Sequence, residues 1–262
     1  MNDLLVYFQC MRLQLLAAVE YKGWWLRLLN TCVYAVAEFV PVLLLSLRFG
    51  SAGVWTAERI MLVYALAILS FGLAEFLFRG FDMFPSKLLR TGELDRLLLR
   101  PCRLTTQVAC SAFDVHRLAR PLTGLALLLI CLRRLGVAPG AREAAILLSA
   151  LCGGTLLYFG VFLLTSGLAF FTVKGLDWIT LFTNASYQVT RCPADYIPRS
   201  LKGIFTFLLP VLLVSYYPAS LVCGWGEPGW TGLLALPAGA AFLGLALLVW
   251  RCGLRHYASS GS

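Results

Sequence analysis

Long apolar stretches recur along the whole chain, and they constrain its fold more than any other feature. A helix needs about 20 mostly uncharged residues to cross the hydrocarbon core of a bilayer, where every backbone polar group must be paired internally. The composition agrees, with 60% hydrophobic and only 13% charged residues and a mean hydropathy of +0.79. These features predict an all-α polytopic membrane protein with a single transmembrane domain over residues 1–262.

Six of the apolar stretches are candidate transmembrane spans. In the third, only Pro121 to Leu132 is free of charge, between Arg120 and the pair Arg133 and Arg134. The predicted spans cover about residues 24–47, 59–79, 118–136, 144–170, 203–223 and 230–250.

The basic residues orient these spans, because Lys and Arg accumulate in cytoplasmic loops. With the N-terminus inside, 17 of the 22 basic residues lie on the cytoplasmic side and 5 on the other. If the third segment did not span, the division would fall to 14 against 8. The distribution therefore favours six spans with both termini in the cytoplasm. It also accounts for the net charge of +9 by membrane topology, without a nucleic-acid partner.

Residues 1–22 are predicted to form an amphipathic helix that lies in the membrane interface. An acid at the start and Arg12 inside the apolar run argue against a cleavable signal peptide. On a helical wheel, one face of this segment is apolar and consists of Leu4, Phe8, Met11, Leu15 and Ala18.

The segment GELDRLLLRP, residues 92–101, is a polar interruption within the long loop 80–117, between the second and third predicted spans. On a helix its leucines and its neighbouring arginines fall on different faces, with Leu94, Leu97 and Leu98 on one and Arg96, Arg100 and Arg103 on another. Pro101 should end or bend this helix. The pattern indicates an amphipathic helix with its charged face toward water, headgroups or another protein. A solvated loop whose arginines only fix the topology is an equal alternative on these grounds.

A motif in this segment resembles that of a known family. The signature G-x-[FL]-D-x-x-L-x-R-P of prokaryotic type-2 ABC exporter permeases is matched by Gly92, Leu94, Asp95, Leu98, Arg100 and Pro101. Further similarity lies in Ala112-Phe113-Asp114, and in PVLLVSYYPASLVCG at 210–224, which is similar to the P-x(6)-Y-Y-P-A segment of the fifth span in that family. The resemblance covers most of the chain.

The resemblance implies an N-terminal elbow helix, six spans and a cytoplasmic coupling helix. The chain would then be a permease subunit in the bacterial cytoplasmic (inner) membrane that moves an amphipathic or lipid-like, drug or peptide cargo by alternating access. Its implied partners are two ABC ATPase subunits, membrane lipid and a second permease chain, in a homodimer or a heterodimer. The residues that would dock the ATPase are Gly92, Glu93, Leu94, Asp95, Arg96, Leu97, Leu98, Arg100 and Pro101.

The sequence has no motif for catalysis or for binding ATP. A GxxxxGK[ST] phosphate-binding loop is absent. His116 and His256 are the only histidines, and no HExxH or GxSxG motif accompanies them. We therefore expect this chain to have no catalytic residue, metal or cofactor, and we expect ATP and Mg to be bound by the partner ATPase.

Polar residues inside the predicted spans are candidates for a transport pathway. A charge near the bilayer centre costs at least about 2.5 kcal/mol, so it should face the bundle interior or a wet cavity. The candidates are Asn30, Thr31 and Glu38 in the first span and Tyr216 and Tyr217 in the fifth. Each could instead serve interhelical hydrogen bonding. Glu38 would be the proton site if the chain were a secondary proton-coupled carrier, and a non-transporting membrane scaffold is the other alternative.

Two further patterns concern helix packing. Glu75 and Arg79 stand four residues apart, a spacing that favours an ion pair on a helix. Small residues four positions apart predict close approach of helices in lipid at two places, Ala150 with Gly154 and Ala240 with Gly244.

Overall fold

The computed structural model describes residues 3–20, 23–48, 56–137, 140–172, 184, 187–189, 197–224 and 231–257, and every regular element in these ranges is helical. The α-helices are α1 (Asp3–Glu20), α2 (Trp24–Arg48), α3 (Ala57–Phe84), α4 (Glu93–Leu98), α5 (Leu104–Cys110), α6 (Ala119–Arg134), α7 (Ala141–Ala169), α8 (Arg199–Gly203), α9 (Val211–Val214), α10 (Tyr216–Cys223) and α11 (Ala235–His256). Turns of 3-10 helix precede α6 (Val115–Leu118) and α11 (Thr231–Leu234), and π-helical turns follow α3 (Pro85–Leu89) and α8 (Ile204–Leu208).

Four of the described helical stretches are long and apolar enough to cross a membrane, namely Ala57–Leu89, Val115–Arg134, Ala141–Ala169 and Thr231–His256. They correspond to the second, third, fourth and sixth predicted spans. A fifth candidate exists if the bent pair Arg199–Leu208 and Val211–Cys223 is one span. The first predicted span forms a single helix, α2, which is not among these candidates. A total of six spans therefore stays a prediction.

The fifth predicted span, 203–223, is broken rather than continuous. Its two halves are bent by 72°, and the break falls at Leu209 and Pro210, whose backbone leaves the helical region. The physical cause is Pro210, because its ring disfavours helical geometry in the preceding residue and its nitrogen cannot donate a hydrogen bond.

Helix α3 forms the centre of the described bundle. In its most apolar stretch 78% of the residues are buried, against 28% in α11, so α3 is covered nearly all round and α11 lies at the periphery. Helix α3 packs mainly against α6 and α7. Its buried side chains include Leu62, Leu66 and Phe71.

The most extensive contact between described helices joins α7 to α11. It is lined on α7 by glycines seven residues apart, Gly153, Gly160 and Gly167. A Cβ atom at Gly153 would lie 2.3 Å from the carbonyl oxygen of Ala235, and one at Gly239 would lie 2.1 Å from that of Gly153. The two backbones therefore touch, which no residue with a side chain would permit.

The two small-residue pairs predicted from sequence differ in how closely they pack against other helices. Ala240 is exposed and a Cβ at Gly244 would meet nothing within 4 Å, so the prediction of close packing there is wrong. The other pair does lie at a close approach. Ala150 is fully buried, and a Cβ at Gly154 would lie 2.5 Å from Oγ of Ser70 on α3.

Helix α1 is fastened to the same end of the bundle that carries the polar segment. The Tyr7 hydroxyl donates to the carbonyl oxygen of Leu77 at 2.7 Å, and burial raises the pKa of Tyr7 to about 12. The Gln14 side chain donates to the Cys110 carbonyl at 2.6 Å and accepts from the Phe113 amide at 2.9 Å. Its location in the membrane interface stays a prediction.

Candidate functional site

The polar segment, residues 92–101, begins with a sharp change of chain direction. Gly92 has a φ of 74°, in the left-handed region that glycine adopts without the steric cost of a Cβ. The chain leaves the π-helical turn after α3 at this point and enters α4 immediately afterwards. The glycine of the family signature therefore has a backbone role.

Residues on one side of this segment anchor it to the bundle. Leu94 is fully buried and belongs to an apolar cluster with Phe84, Leu88 and Trp250. The Tyr257 hydroxyl, directly after α11, donates to Oδ1 of Asp95 at 3.0 Å. The segment is thus held against the ends of both α3 and α11.

The other side of the segment is exposed. Leu99 is 87% exposed and Leu98 47%, and the exposed residues of the predicted docking set are Glu93, Arg96, Leu98, Arg100 and Pro101. The Gln107 side chain donates to the carbonyl oxygens of Leu97 and Cys102, at 3.1 and 2.8 Å, and so braces the end of the segment. The result is a short, anchored element with an apolar and basic tip.

A second polar feature lies where α2, α3 and the start of α6 meet. We name it the Glu75 cluster, and it comprises Glu38, Glu75, Arg79, Asp82, Arg117 and Arg120. Glu75 is 2% exposed. Its Oε1 accepts from Arg79 at 2.7 Å and also from Arg117, and its Oε2 accepts from Arg120 at 2.8 Å.

The cluster continues outward from Glu75 in two directions. Arg120 also reaches Oε1 of Glu38 on α2 at 3.1 Å, and Arg79 reaches Asp82 at 2.7 Å. Three cations therefore face three anions, which removes the large cost of an unpaired buried charge. The predicted pair of Glu75 with Arg79 is confirmed.

Sequence reasoning missed Arg117 and Arg120 as partners of Glu75. They stand 42 and 45 residues further along the chain, so no helical spacing connects them. The available signal was a match of opposite charges at neighbouring span ends, because both arginines lie at or just before the start of the third predicted span and Glu75 lies near the C-terminal end of the second.

The five predicted pathway residues do not gather in one place. Glu38 joins the Glu75 cluster and also accepts from the Tyr187 hydroxyl at 3.3 Å. Thr31 donates to the Arg27 carbonyl at 3.0 Å, while Asn30 is exposed. Tyr216 and its edge-to-face neighbour Tyr217 lie in a separate apolar cluster, where Tyr216 is 7% exposed.

Two clefts open beside the Glu75 cluster. The small cleft, about 140 Å³, is lined by Thr31, Tyr34, Glu75, His116, Arg117 and Arg120. The large cleft, about 290 Å³, is lined by Ala17, Ala18, Trp24, Arg27, Asp114, Val115 and His116. His116 lines both, and its Nδ1 lies 2.5 Å from Oδ1 of Asp114. Within the described ranges, no group of three or more His, Cys, Asp or Glu side chains is placed to hold a metal ion.

The apolar helices and their buried ion pairs define a multi-pass helical membrane protein. The family model described as ABC-2 family transporter protein matches residues 32–261, so the chain belongs to that family, and the resemblance seen in the sequence is confirmed. The chain is accordingly a membrane permease of an ABC transporter, a class that works with ABC ATPase subunits. No curated protein and no solved structure gives a significant match.

Proposed function

We propose that this chain is the permease subunit of an ATP-driven exporter that moves an amphipathic or lipid-like cargo by alternating access. Two ATPase subunits bind ATP and Mg and hydrolyse the nucleotide, and a second permease chain completes the translocation path. The complex lies in the bacterial cytoplasmic membrane with both termini of this chain inside. Membership of the ABC-2 family supports an ATPase partner, and spans with few buried charges favour an apolar or amphipathic cargo over a strongly polar one.

The observation that carries this proposal is the geometry of the polar segment. Leu94 is buried in the bundle while Leu99, five residues on, is 87% exposed. Asp95 is tied by Tyr257 to the end of α11. A short element that is anchored to two spans and exposed at its tip can convert a push at the membrane surface into displacement of those spans. We infer that the ATPase subunit docks on this tip.

The test replaces the two exposed arginines of α4 and its end, in the variant Arg96→Ala/Arg100→Ala. Both side chains are exposed, so the bundle should fold normally. We expect co-purification of the ATPase subunit and ATP-dependent transport of a fluorescent lipid in proteoliposomes to fall by about tenfold or more, because charged contacts at an interface contribute on the order of 1.4 kcal/mol or more.

The matched control is Arg133→Ala/Arg134→Ala, which removes two exposed arginines from the last turn of α6. It should leave ATPase binding and transport unchanged. Normal binding and transport in the α4 variant would refute the docking assignment. Transport driven by a pH gradient without ATP would favour the proton-coupled carrier, and ATPase binding without any transport would favour the scaffold.

A further inference from the structure

The two clefts beside the Glu75 cluster bring together more hydrogen-bond donors than the cluster itself uses. A guanidinium group carries five N–H donors. Glu75 has only two carboxylate oxygens, and it accepts from three arginines, Arg79, Arg117 and Arg120. Two of these arginines line the small cleft together with the hydroxyl-bearing residue Tyr34. This wall suits a ligand with several acceptor oxygens.

The charge of the cleft walls favours an anion. The cations are Arg27, Arg117 and Arg120, and the carboxylates are Glu75 and Asp114. With His116 neutral, the lining residues carry one net positive charge, and Glu38, which contacts Arg120 at 3.1 Å, adds one more carboxylate beside them. Glu75 is 2% exposed and is screened by its arginines, so on the surface that a ligand would meet the positive groups outnumber the carboxylates by three to two.

The surroundings of the clefts are those of a membrane interface. Trp24 lines the large cleft beside Ala17 and Ala18 of α1, and Tyr34, which lines the small cleft, is 61% exposed. Tryptophan and tyrosine concentrate at the depth of lipid headgroups, where one end of the ring is wet and the other apolar. The anion expected here is therefore attached to an apolar body.

We propose that the two clefts together bind the phosphate headgroup of an amphipathic lipid. Arg117 and Arg120 donate to the phosphate oxygens, as planar guanidinium groups do well, and Arg27 adds a third cation from the wall of the large cleft. As a statement about cargo this rests on the proposed function, whereas binding itself needs neither ATP nor a partner subunit.

The experiment is a binding titration of the purified full chain in an uncharged detergent, followed by tryptophan fluorescence. The probes are dioctanoyl phosphatidylglycerol, dioctanoylglycerol with the same tails and no phosphate, and inorganic phosphate. We expect saturable binding of the phospholipid and at least about tenfold weaker binding of the other two. Equal binding of dioctanoylglycerol would overturn the headgroup site, and equal binding of inorganic phosphate would show a site for free phosphate instead.

Two variants locate the site. Arg117→Gln leaves Glu75 with two arginine partners, and Arg27→Gln changes an exposed residue, so the second keeps the test valid if the first does not fold. Each should weaken phospholipid binding by about tenfold, the effect of one charge-assisted contact. Arg12→Gln, on an exposed position of α1, loses the same charge away from the clefts and should bind like the unmodified chain.

Unchanged binding in both cleft variants, or equal weakening in Arg12→Gln, would overturn the proposal. Failure of the proposed function would look different. If no ATPase subunit attached to the polar segment, the phospholipid titration would be unaffected. If the clefts bound no phospholipid, ATPase docking and its response to Arg96→Ala/Arg100→Ala would be unaffected.

Discussion

The contact between α7 and α11 and the Glu75 cluster hold helices together by opposite means. In the first, glycines bring two backbones into direct contact, and a Cβ at Gly239 would lie 2.1 Å from a carbonyl oxygen. In the second, long side chains span the gap between α2 and its neighbours, and Arg120 connects α3 to α2 through Glu75 and Glu38.

The difference indicates which parts of the bundle move together. Backbone contacts lose about a quarter to a half of their dispersion energy when they separate by about 0.5–1 Å, so α7 and α11 should move as one unit. Arginines with several donors can exchange partners and change their reach by rotating about the side-chain bonds. We therefore expect relative movement of spans to be concentrated between α2 and the pair α3 and α6, since α3 and α6 also approach backbone to backbone, at Gly72 and Gly124.

The largest effect should follow from removal of the central carboxylate in Glu75→Ala. This leaves three half-buried arginines around an empty position, and breaking a buried ion pair in this way costs about 3–5 kcal/mol. Thermal unfolding in detergent, monitored by circular dichroism or by loss of monodispersity, should occur at a clearly lower temperature. The control Glu20→Gln removes an exposed carboxylate of α1 and should unfold like the unmodified chain, so an equal drop in both would mean that the cluster does not stabilise the bundle.

A paired change sharpens this result. Glu75→Gln/Arg117→Gln removes one anion and one cation, so the remaining charges of the cluster, on Glu38, Arg79, Asp82 and Arg120, still balance. We expect this double variant to unfold at a higher temperature than Glu75→Gln alone, because fewer charges are left without a partner. A double variant that was less stable than the single one would show that shape rather than charge balance governs the site.

The next effect tests the glycine contact by the same substitution at two positions of α11. Gly239→Ala should destabilise the protein by about 1–3 kcal/mol, because the added methyl group overlaps the backbone of α7. Gly244→Ala has open space around the new Cβ and should stabilise by about 0.5–1 kcal/mol through helix propensity. The measurement is the unfolding temperature of each, and shifts of the same sign would argue against backbone contact between α7 and α11.

The smallest effect is expected at the tie between α11 and the polar segment. Tyr257→Phe removes the hydrogen bond to Asp95 and should cost about 0.5–1.5 kcal/mol. Burial, and then the hydrogen bond to Asp95, raise the pKa of Tyr257 above its ordinary value. The stabilisation should thus be complete below pH 10 and be lost as the pH rises through the raised pKa. If Tyr257→Phe showed the same loss of stability with rising pH as the unmodified chain, this hydrogen bond would contribute nothing to stability.

Sequence reasoning succeeded where the cause is local. Apolar length predicted four segments, the second, third, fourth and sixth, that form helices long and apolar enough to cross a membrane, and helical spacing identified the pair Glu75 and Arg79. Helical spacing also placed Leu94 on the apolar face of its segment, where it is fully buried.

Sequence reasoning failed where a contact depends on a residue or helix far away along the chain. Arg117 and Arg120 reach Glu75 through tertiary packing, and the α7 glycines that touch α11 recur every seven residues rather than every four because the partner helix selects the face. The break at Pro210 had a local signal, since the residue before a proline is biased away from the helix, but residues 203–223 were still predicted as one uninterrupted span.

Site-specific cross-linking of the polar segment to the ATPase subunit tests the proposed docking most directly. A photoreactive p-benzoylphenylalanine is placed at Leu99, which is 87% exposed, and in a separate variant at Leu148 of α7, which is 61% exposed. In the assembled complex we predict a cross-link to the ATPase subunit from position 99 and none from position 148. No cross-link from position 99 in a complex that contains the ATPase, or equal cross-linking from both positions, would contradict the claim that this segment receives the force of ATP hydrolysis.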